Sequence, residues 1–208
     1  MNLQHYYWFF KNAIPGHICD DIIRYALQKP KSLASIGTYE NYKTLTPKQL
    51  KGLKQKRDCK ISWISENWLY KEIHPFVHAA NKNANWNFNW DLTETCQFTI
   101  YQKDQYYDWH SDNTGRVYSD SESPCHGKIR KLSTTLSLSD EKEYKGGELE
   151  FDFRNMDPDK KAHTKICTEA RGKGSLIVFP SFVWHRVRPI TQGIRYSLVN
   201  WHLGAPFK

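Results

Sequence analysis

His110-Ser111-Asp112, His185 and Arg195 are the residues of this chain whose types and spacing could do chemistry. In an extended segment, positions 110 and 112 leave the same edge of the chain, so an imidazole and a carboxylate face one point. A third ligand, His185, must arrive from a different strand. Two imidazoles and one carboxylate on one face of a metal leave three coordination positions open, which is the donor set of non-haem Fe(II) oxygen chemistry. Such a centre can hold a bidentate oxoacid and still admit O2, whereas a closed tetrahedral site cannot. Ten residues beyond His185 stands Arg195, within Gly193-Ile194-Arg195-Tyr196-Ser197. A guanidinium fork grips a carboxylate through parallel N–H bonds, which suits the far carboxylate of a dicarboxylic cosubstrate. His-x-Asp alone is common; with a distant histidine and an arginine at this offset it becomes specific.

A second histidine pair competes for attention. His74 and His78 are four residues apart on a predicted helix, the spacing of helical zinc ligands. No glutamate follows His74, Pro75 sits between the two, and no third ligand is marked, so they read as packing or surface histidines. His5, His17, His126, His163 and His202 carry no spacing argument.

The chemistry needs elements to position it. Ala13–Gln28 predicts a helix, with Pro15 suited to the first turn and Ile18, Ile22, Ile23 and Ala26 at helical spacing. Glu66–Asn81 predicts a second, with Pro75 a point where it could kink. From Trp86 onward, short β-forming runs are broken by Gly, Pro, Asp and Asn. They predict strands at Thr95–Gln102, Leu132–Ser139, Glu148–Phe153, Ser175–Phe179 and Arg195–Leu203. His110 and Asp112 fall on a predicted loop, Asp104–Asn113, and His185 follows a buried strand ended by Pro180. Gly146-Gly147 predicts a turn, and Asn155–Gly174 a long polar loop. Helices followed by many strands predict an α+β chain, mainly β, in which helices pack against a sandwich or barrel.

The 208 residues suit one domain with a sizeable core, and 14% aromatic content is far from a disordered composition. No apolar run is long enough to span a bilayer, and the N-terminal stretch lacks the features of a signal peptide. Five scattered cysteines without a CxxC argue against a disulfide framework and against a zinc ribbon. The expectation is a cytosolic protein with reduced thiols. The net charge is +8, and much of the excess lies in Lys43–Lys60. That stretch reads first as a solvated connection and second as a flap for an acidic peptide or a nucleic acid. It lacks the interleaved aromatics on which single-stranded bases stack.

Tyr101-Gln-Lys-Asp-Gln-Tyr-Tyr107-Asp-Trp109-His110-Ser-Asp112 resembles the metal-binding segment of the prolyl 4-hydroxylase-like Fe(II)/2-oxoglutarate dioxygenases, above all the PKHD-type hydroxylases. Leu132–Leu138, Gly146-Gly147-Glu148-Leu149, Phe179-Pro180-Ser181, His185–Pro189, Gly193-Ile194-Arg195 and Trp201 match in order and spacing, so the resemblance covers about residues 95–204. It implies a double-stranded β-helix (jelly roll) core over about 86–204, supported by helices over about 13–81, in a single domain of residues 1–208. It implies iron on His110, Asp112 and His185, and 2-oxoglutarate on Arg195, helped by the Tyr101 hydroxyl. Trp201 would line that pocket and Ser197 would add a contact, while Tyr107 and Trp109 would flank the metal. The family often has glycine where Asp104 stands, which puts the local turn in question.

The cofactors implied are Fe(II), 2-oxoglutarate and O2, with ascorbate as an accessory reductant. The activity implied is hydroxylation of a C–H bond with release of succinate and CO2, first of a prolyl residue in a peptide or protein. Hydroxylation of a small molecule or free amino acid is the alternative. Nucleic-acid demethylation is the lesser reading of the charge, because the second arginine of those enzymes is replaced by Trp201. A sensor without turnover is the non-enzymatic reading. Substrate choice would lie in Tyr39–Lys60 and Asn155–Gly174. No membrane partner is expected, and the oligomeric state is open.

Overall fold

A computed structural model of the chain describes residues 3–35, 44–153 and 163–207. In chain order the first elements are β1 (Trp8–Phe10), α1 (Gly16–Gln28), β2 (Ser32–Leu33), α2 (Pro47–Lys56), β3 (Arg57–Asp58), β4 (Lys60–Ile64) and α3 (Asn67–Asn83). Strands β5 (Leu92–Thr93), β6 (Cys96–Tyr101), β7 (Tyr106–His110), β8 (Ile129–Ser137), β9 (Tyr144–Gly146) and β10 (Leu149–Asp152) follow. The last are β11 (Thr164–Ile166), β12 (Leu176–Pro180), β13 (Trp184–Val187), β14 (Ile190–Gly193) and β15 (Arg195–Gly204). The major sheet runs β1-β12-β8-β15-β6-β4-β2, with β5 paired to β15; the minor sheet runs β11-β10-β13-β7-β3; β14 and β9 form a separate pair. All named pairings are antiparallel.

The period of two in the strands sorts side chains between two different interiors. On β6, β12 and β15 one set of positions, including Phe98, Leu176, Val178 and Leu198, packs in one core with Ile22 of α1 and Ile73 and Val77 of α3. The alternate positions of β12, Ile177 and Phe179, join Leu149 and Phe151 of the minor sheet in a second core. The alternate positions of β15 are Arg195, Ser197, Val199 and Trp201, and all four line a cavity. The sheet is therefore apolar toward its helices and polar toward that cavity.

The five predicted strands and both predicted helices form, with ends shifted by a few residues. Helix α3 runs unbroken through Pro75, its buried face of Leu69, Ile73, Val77 and Ala80 seated on the sheet. Three segments depart from expectation. The metal-ligand stretch 104–113 is not all loop, because Tyr106–His110 is a strand paired with β13 and β3. The basic stretch contains α2, which starts at a capping box: the Thr46 side chain and the Gln49 backbone, and the Gln49 side chain and the Thr46 backbone, bond reciprocally. Leu53 is fully buried beneath it; local apolar content too sparse for a clear period is anchored by this one side chain. The 155–174 stretch contains β11 and a short 3-10 turn, Thr168–Ala170. Residues 36–43 and 154–162, which include the start of each of these two stretches, lie outside the described residues.

Asp104 adopts the left-handed conformation, with φ of 67°, and its N–H donates to the Ile190 carbonyl. Glycine is the usual occupant of that conformation, and aspartate is one of the few other residue types that tolerates it.

His74 and His202 both approach Thr93 Oγ1, each at 3.1 Å, and His78 stacks on Trp90. These histidines pack. Burial, with His74 and His78 nearby, lowers His202 to about 3. His202 is therefore neutral in the folded chain, while the unfolded chain takes up a proton near pH 6.5, so this contribution to stability is present above about 6.5 and is lost as pH falls toward 3. Between pH 7 and pH 5 the stability advantage of wild type over His202→Gln should shrink by about 2 kcal/mol in urea unfolding. An advantage that stays constant over that range would contradict the buried, neutral imidazole.

Candidate metal and anion site

The β7–β13 pairing sets His110 directly opposite His185, with ring centroids 4.1 Å apart. Asp112 lies just beyond β7, where its N–H donates to the Ser181 carbonyl at 2.9 Å. Its carboxylate accepts from the Ser133 hydroxyl at 2.7 Å, and Ser133 Oγ is 2.9 Å from Ser181 Oγ. A hydroxyl has one proton, so Ser133 donates to Asp112 and accepts from Ser181. Asp112 is thereby tied to β8 of the major sheet, while both histidines belong to the minor one.

Each imidazole is oriented by a backbone carbonyl. His110 Nδ1–H donates to Asp108 O at 2.8 Å, and His185 Nδ1–H donates to Val183 O at 3.0 Å. A carbonyl only accepts, so both Nε2 atoms are left with lone pairs, the arrangement by which outer partners prepare metal-binding histidines. The two Nε2 atoms lie 3.7 and 3.6 Å from the Asp112 carboxylate oxygens. Those separations are too long for hydrogen bonds, and ligand atoms of all three residues fall within 4.8 Å of one another. Burial and the neighbouring His185 hold His110 well below its usual range, against the pull of Asp112, so it is neutral. Burial alone would raise Asp112, but His185, His110, Arg130 and the Ser133 hydroxyl bring it down to about 2. Two imidazoles and one carboxylate suit a divalent cation with open positions.

The three residues share a cavity of about 820 Å³ with Tyr101, Tyr107, Arg195, Ser197 and Trp201. Arg195 is 2% exposed and stands opposite Tyr101 in the β15–β6 register. Its Nη1 donates to Ser197 Oγ at 3.4 Å, while its buried Nε has no hydrogen-bond partner. An orphaned, buried guanidinium N–H is costly unless an anion completes it, so this end of the cavity fits a carboxylate. Gly147 shapes the same end: with φ of 65°, an added Cβ would meet Arg195 Cδ at 3.1 Å and Ile190 Cδ1 at 2.3 Å.

Trp201 also has an unpartnered indole N–H, and its ring carries the Arg130 guanidinium at 3.9 Å. Arg130 in turn makes a bidentate pair with Glu94 at 2.7 and 2.6 Å. Tyr107 stacks on His110 at 3.5 Å. Trp109 does not line the cavity; it packs under Arg186 instead. Ser133, Ser181, Arg130, Glu94 and Arg57 escape sequence reasoning. Serines and a lone arginine carry no spacing signal, although the polar alternation of 133, 135 and 137 on β8 marks the face on which Ser133 lies.

The profile of the 2OG-Fe(II) oxygenase superfamily matches residues 96–203. A PKHD-type hydroxylase of Xylella fastidiosa (strain M12) is 36% identical over 108 residues, covering 50% of this chain and 42% of the relative. The PKHD-type hydroxylase YbiX of Escherichia coli is 33% identical over 129 residues, covering 60% of this chain and 51% of the relative. The matched region thus spans about half the length of these curated relatives. Among solved structures, a prolyl hydroxylase from Trichoplax adhaerens, in complex with a hypoxia inducible factor peptide fragment, superposes with a TM-score of 0.64 at 15% identity, covering 96% of this chain and 84% of that one. A viral collagen prolyl hydroxylase from Paramecium Bursaria Chlorella virus-1 gives 0.60 at 17% identity and 97% of both chains. At such identities the likeness is one of fold, and it is the matched profile over half the chain, laid on this cluster of ligands, that makes the protein a member of the 2OG-Fe(II) oxygenase superfamily.

Proposed function

We propose that the protein is an Fe(II)- and 2-oxoglutarate-dependent dioxygenase that hydroxylates a C–H bond, first of all in a prolyl residue of a peptide or protein. The observation that carries this is the shared cavity: three residues able to ligate a metal at one place, and a buried guanidinium with an unpartnered Nε elsewhere on the same wall. His110, Asp112 and His185 would hold Fe(II), and Arg195, with Tyr101 and Ser197 beside it, would hold the distal carboxylate of 2-oxoglutarate. Bound iron with 2-oxoglutarate and O2 supplies the oxidation, with succinate and CO2 as coproducts. The chain's own part is orientation and exclusion of water. Asp108 and Val183 fix the imidazole tautomers, Ser133 fixes the carboxylate, and Trp201 closes a wall of the cavity. Ascorbate is proposed as an accessory reductant.

We read the two facing sheets as a double-stranded β-helix of about residues 86–204, with helical support from about 13–81, in one domain. Peptide is favoured as substrate because structural neighbours include a prolyl hydroxylase in complex with a peptide and sequence relatives are PKHD-type hydroxylases. A small molecule or free amino acid is the second reading, since an 820 Å³ cavity also accommodates one. Nucleic acid ranks below both: α2 presents lysines without stacking aromatics, and Trp201 occupies the place of a second arginine. No described helix is long and apolar enough to cross a membrane; the cytosolic reading rests on the unpaired cysteines.

Succinate release should be stimulated by proline-containing peptides, which gain one oxygen by mass spectrometry, and not by methylated oligonucleotides. The reverse pattern would replace the peptide reading, and 2-oxoglutarate turnover stimulated by neither would favour a small-molecule substrate. His185→Ala should abolish turnover and weaken Fe(II) binding by roughly 10-fold or more; near-native activity at limiting iron would remove His185 from the ligand set. Arg195→Ala should weaken 2-oxoglutarate binding by about 2–5 kcal/mol while leaving Fe(II) affinity nearly unchanged, because the deletion leaves a buried carboxylate unpaired. Equal dependence on 2-oxoglutarate in wild type and variant would move the cosubstrate elsewhere.

A further inference from the structure

Arg57 stands on the wall of the same cavity, and the proposed chemistry gives it nothing to do. It is 6% exposed, and no carboxylate pairs with it among the described residues. Its Nε donates to Cys59 Sγ at 3.3 Å and its Nη1 to Ser35 O at 3.2 Å. The guanidinium carbon lies 4.4 Å from the centroid of the Tyr107 ring, the ring that stacks on His110. A thiol, a carbonyl and an aromatic face satisfy part of a five-donor fork, and none of them carries a compensating charge.

The buried charges of the cavity can be balanced group by group; Arg116, which also lines it, is exposed to solvent. Arg130 is neutralised by Glu94. If Fe(II) and 2-oxoglutarate occupy the site, their charges of opposite sign cancel. Asp112 then offsets one of the two remaining guanidiniums, Arg195 and Arg57, and one positive charge is left in a buried place. A buried charge without a partner is strongly unfavourable. An anion brought in by the substrate would remove the imbalance.

We infer that Arg57 is a substrate-binding residue that holds a carboxylate of the substrate close to the oxidised C–H bond, so that the preferred substrates are acidic at or beside the target residue. This rests on the reading of the cavity as a dioxygenase active site. The carboxylate can come from an Asp or Glu side chain next to the target, from a peptide C-terminus or from a free amino acid. Arg57 joins Tyr107, one ring removed from His110, so the acid belongs to the target residue or its immediate neighbour and not to a distant part of a peptide.

The test is equilibrium binding under anaerobic conditions to the protein loaded with Fe(II) and 2-oxoglutarate, read by calorimetry, so that no turnover is needed. The probes are matched pairs: single-proline peptides with Asp or Asn beside the proline, the same peptides with a free or amidated C-terminus, and free proline against prolinamide. In at least one pair the acid should bind about tenfold or more tighter than its neutral partner. That ratio should fall to about one in Arg57→Gln and to an intermediate value in Arg57→Lys, while the affinity for 2-oxoglutarate stays within about twofold of wild type. If Arg57→Gln does not fold, the ratio in wild type and its decline in Arg57→Lys decide the matter.

Binding of peptides with no preference for the acid in any pair would overturn the role of Arg57 and leave the peptide reading intact. An Arg57-dependent preference confined to free proline would keep the role and overturn the peptide reading. A loss of 2-oxoglutarate affinity in Arg57→Gln that matches the loss of substrate affinity would assign Arg57 to the cosubstrate and overturn the proposal.

Discussion

The candidate site depends first on one antiparallel pairing, that of β7 with β13. It sets His110 across from His185, and a slip of one residue in either strand would send one imidazole to the opposite face of the sheet. The pairing supplies two candidate ligands and leaves the third to be brought from outside the sheet. Asp112 meets that need because its backbone is bonded to Ser181 and its carboxylate to Ser133. The site is consequently a bridge: the two histidines are fixed by the minor sheet, and the carboxylate is fixed by the end of β12 and by β8 of the major one. Separating the sheets would take the carboxylate from the imidazoles before it disturbed any ligand's own strand.

The same two sheets enclose a cavity whose wall carries several buried polar and charged groups. β15 places Arg195, Ser197 and Trp201 toward it and Leu198 toward the helices. Polar groups buried in this way are stabilising only when satisfied. Arg130 is satisfied by Glu94 and Asp112 by Ser133, whereas Arg195 Nε and Trp201 Nε1 are not. Both unsatisfied atoms belong to residues of the cavity wall, whereas Arg130 on the same wall is held in an ion pair by Glu94. That division separates the residues that build the cavity from those that wait for something to fill it.

Much of this was legible in the sequence, and the part that was not has physical reasons. Strands such as Cys96–Tyr101 and Leu176–Pro180 are long, β-branched and bounded by breakers, so their existence was plain. The aromatic and charged residues of Tyr106–His110 show no alternation and so predict loop; the segment becomes a strand through pairing partners far away in the chain. Helix α2 was read as a solvated connection because its lysines hide a single apolar anchor, Leu53, although Thr46 and Gln49 carried a capping signal. Of the site residues, the metal cluster and Arg195 stood out by spacing, and the structure brings them together with Tyr101, Ser197 and Trp201. Arg57 lies within the basic stretch Lys43–Lys60, and nothing local distinguishes this buried guanidinium from the lysines around it, because its burial comes from β3 pairing with β7.

The central claim is that these two strands and Asp112 create one open metal site with an anion clamp in the same cavity. A crystal structure of the protein grown anaerobically with Mn(II), as a redox-stable stand-in for iron, and 2-oxoglutarate tests it most directly. The account predicts one ion bound by His110 Nε2, His185 Nε2 and the Asp112 carboxylate, with the distal carboxylate of 2-oxoglutarate on Arg195. An ion bound elsewhere, a fourth protein ligand closing the site, or 2-oxoglutarate bound away from Arg195 would contradict it.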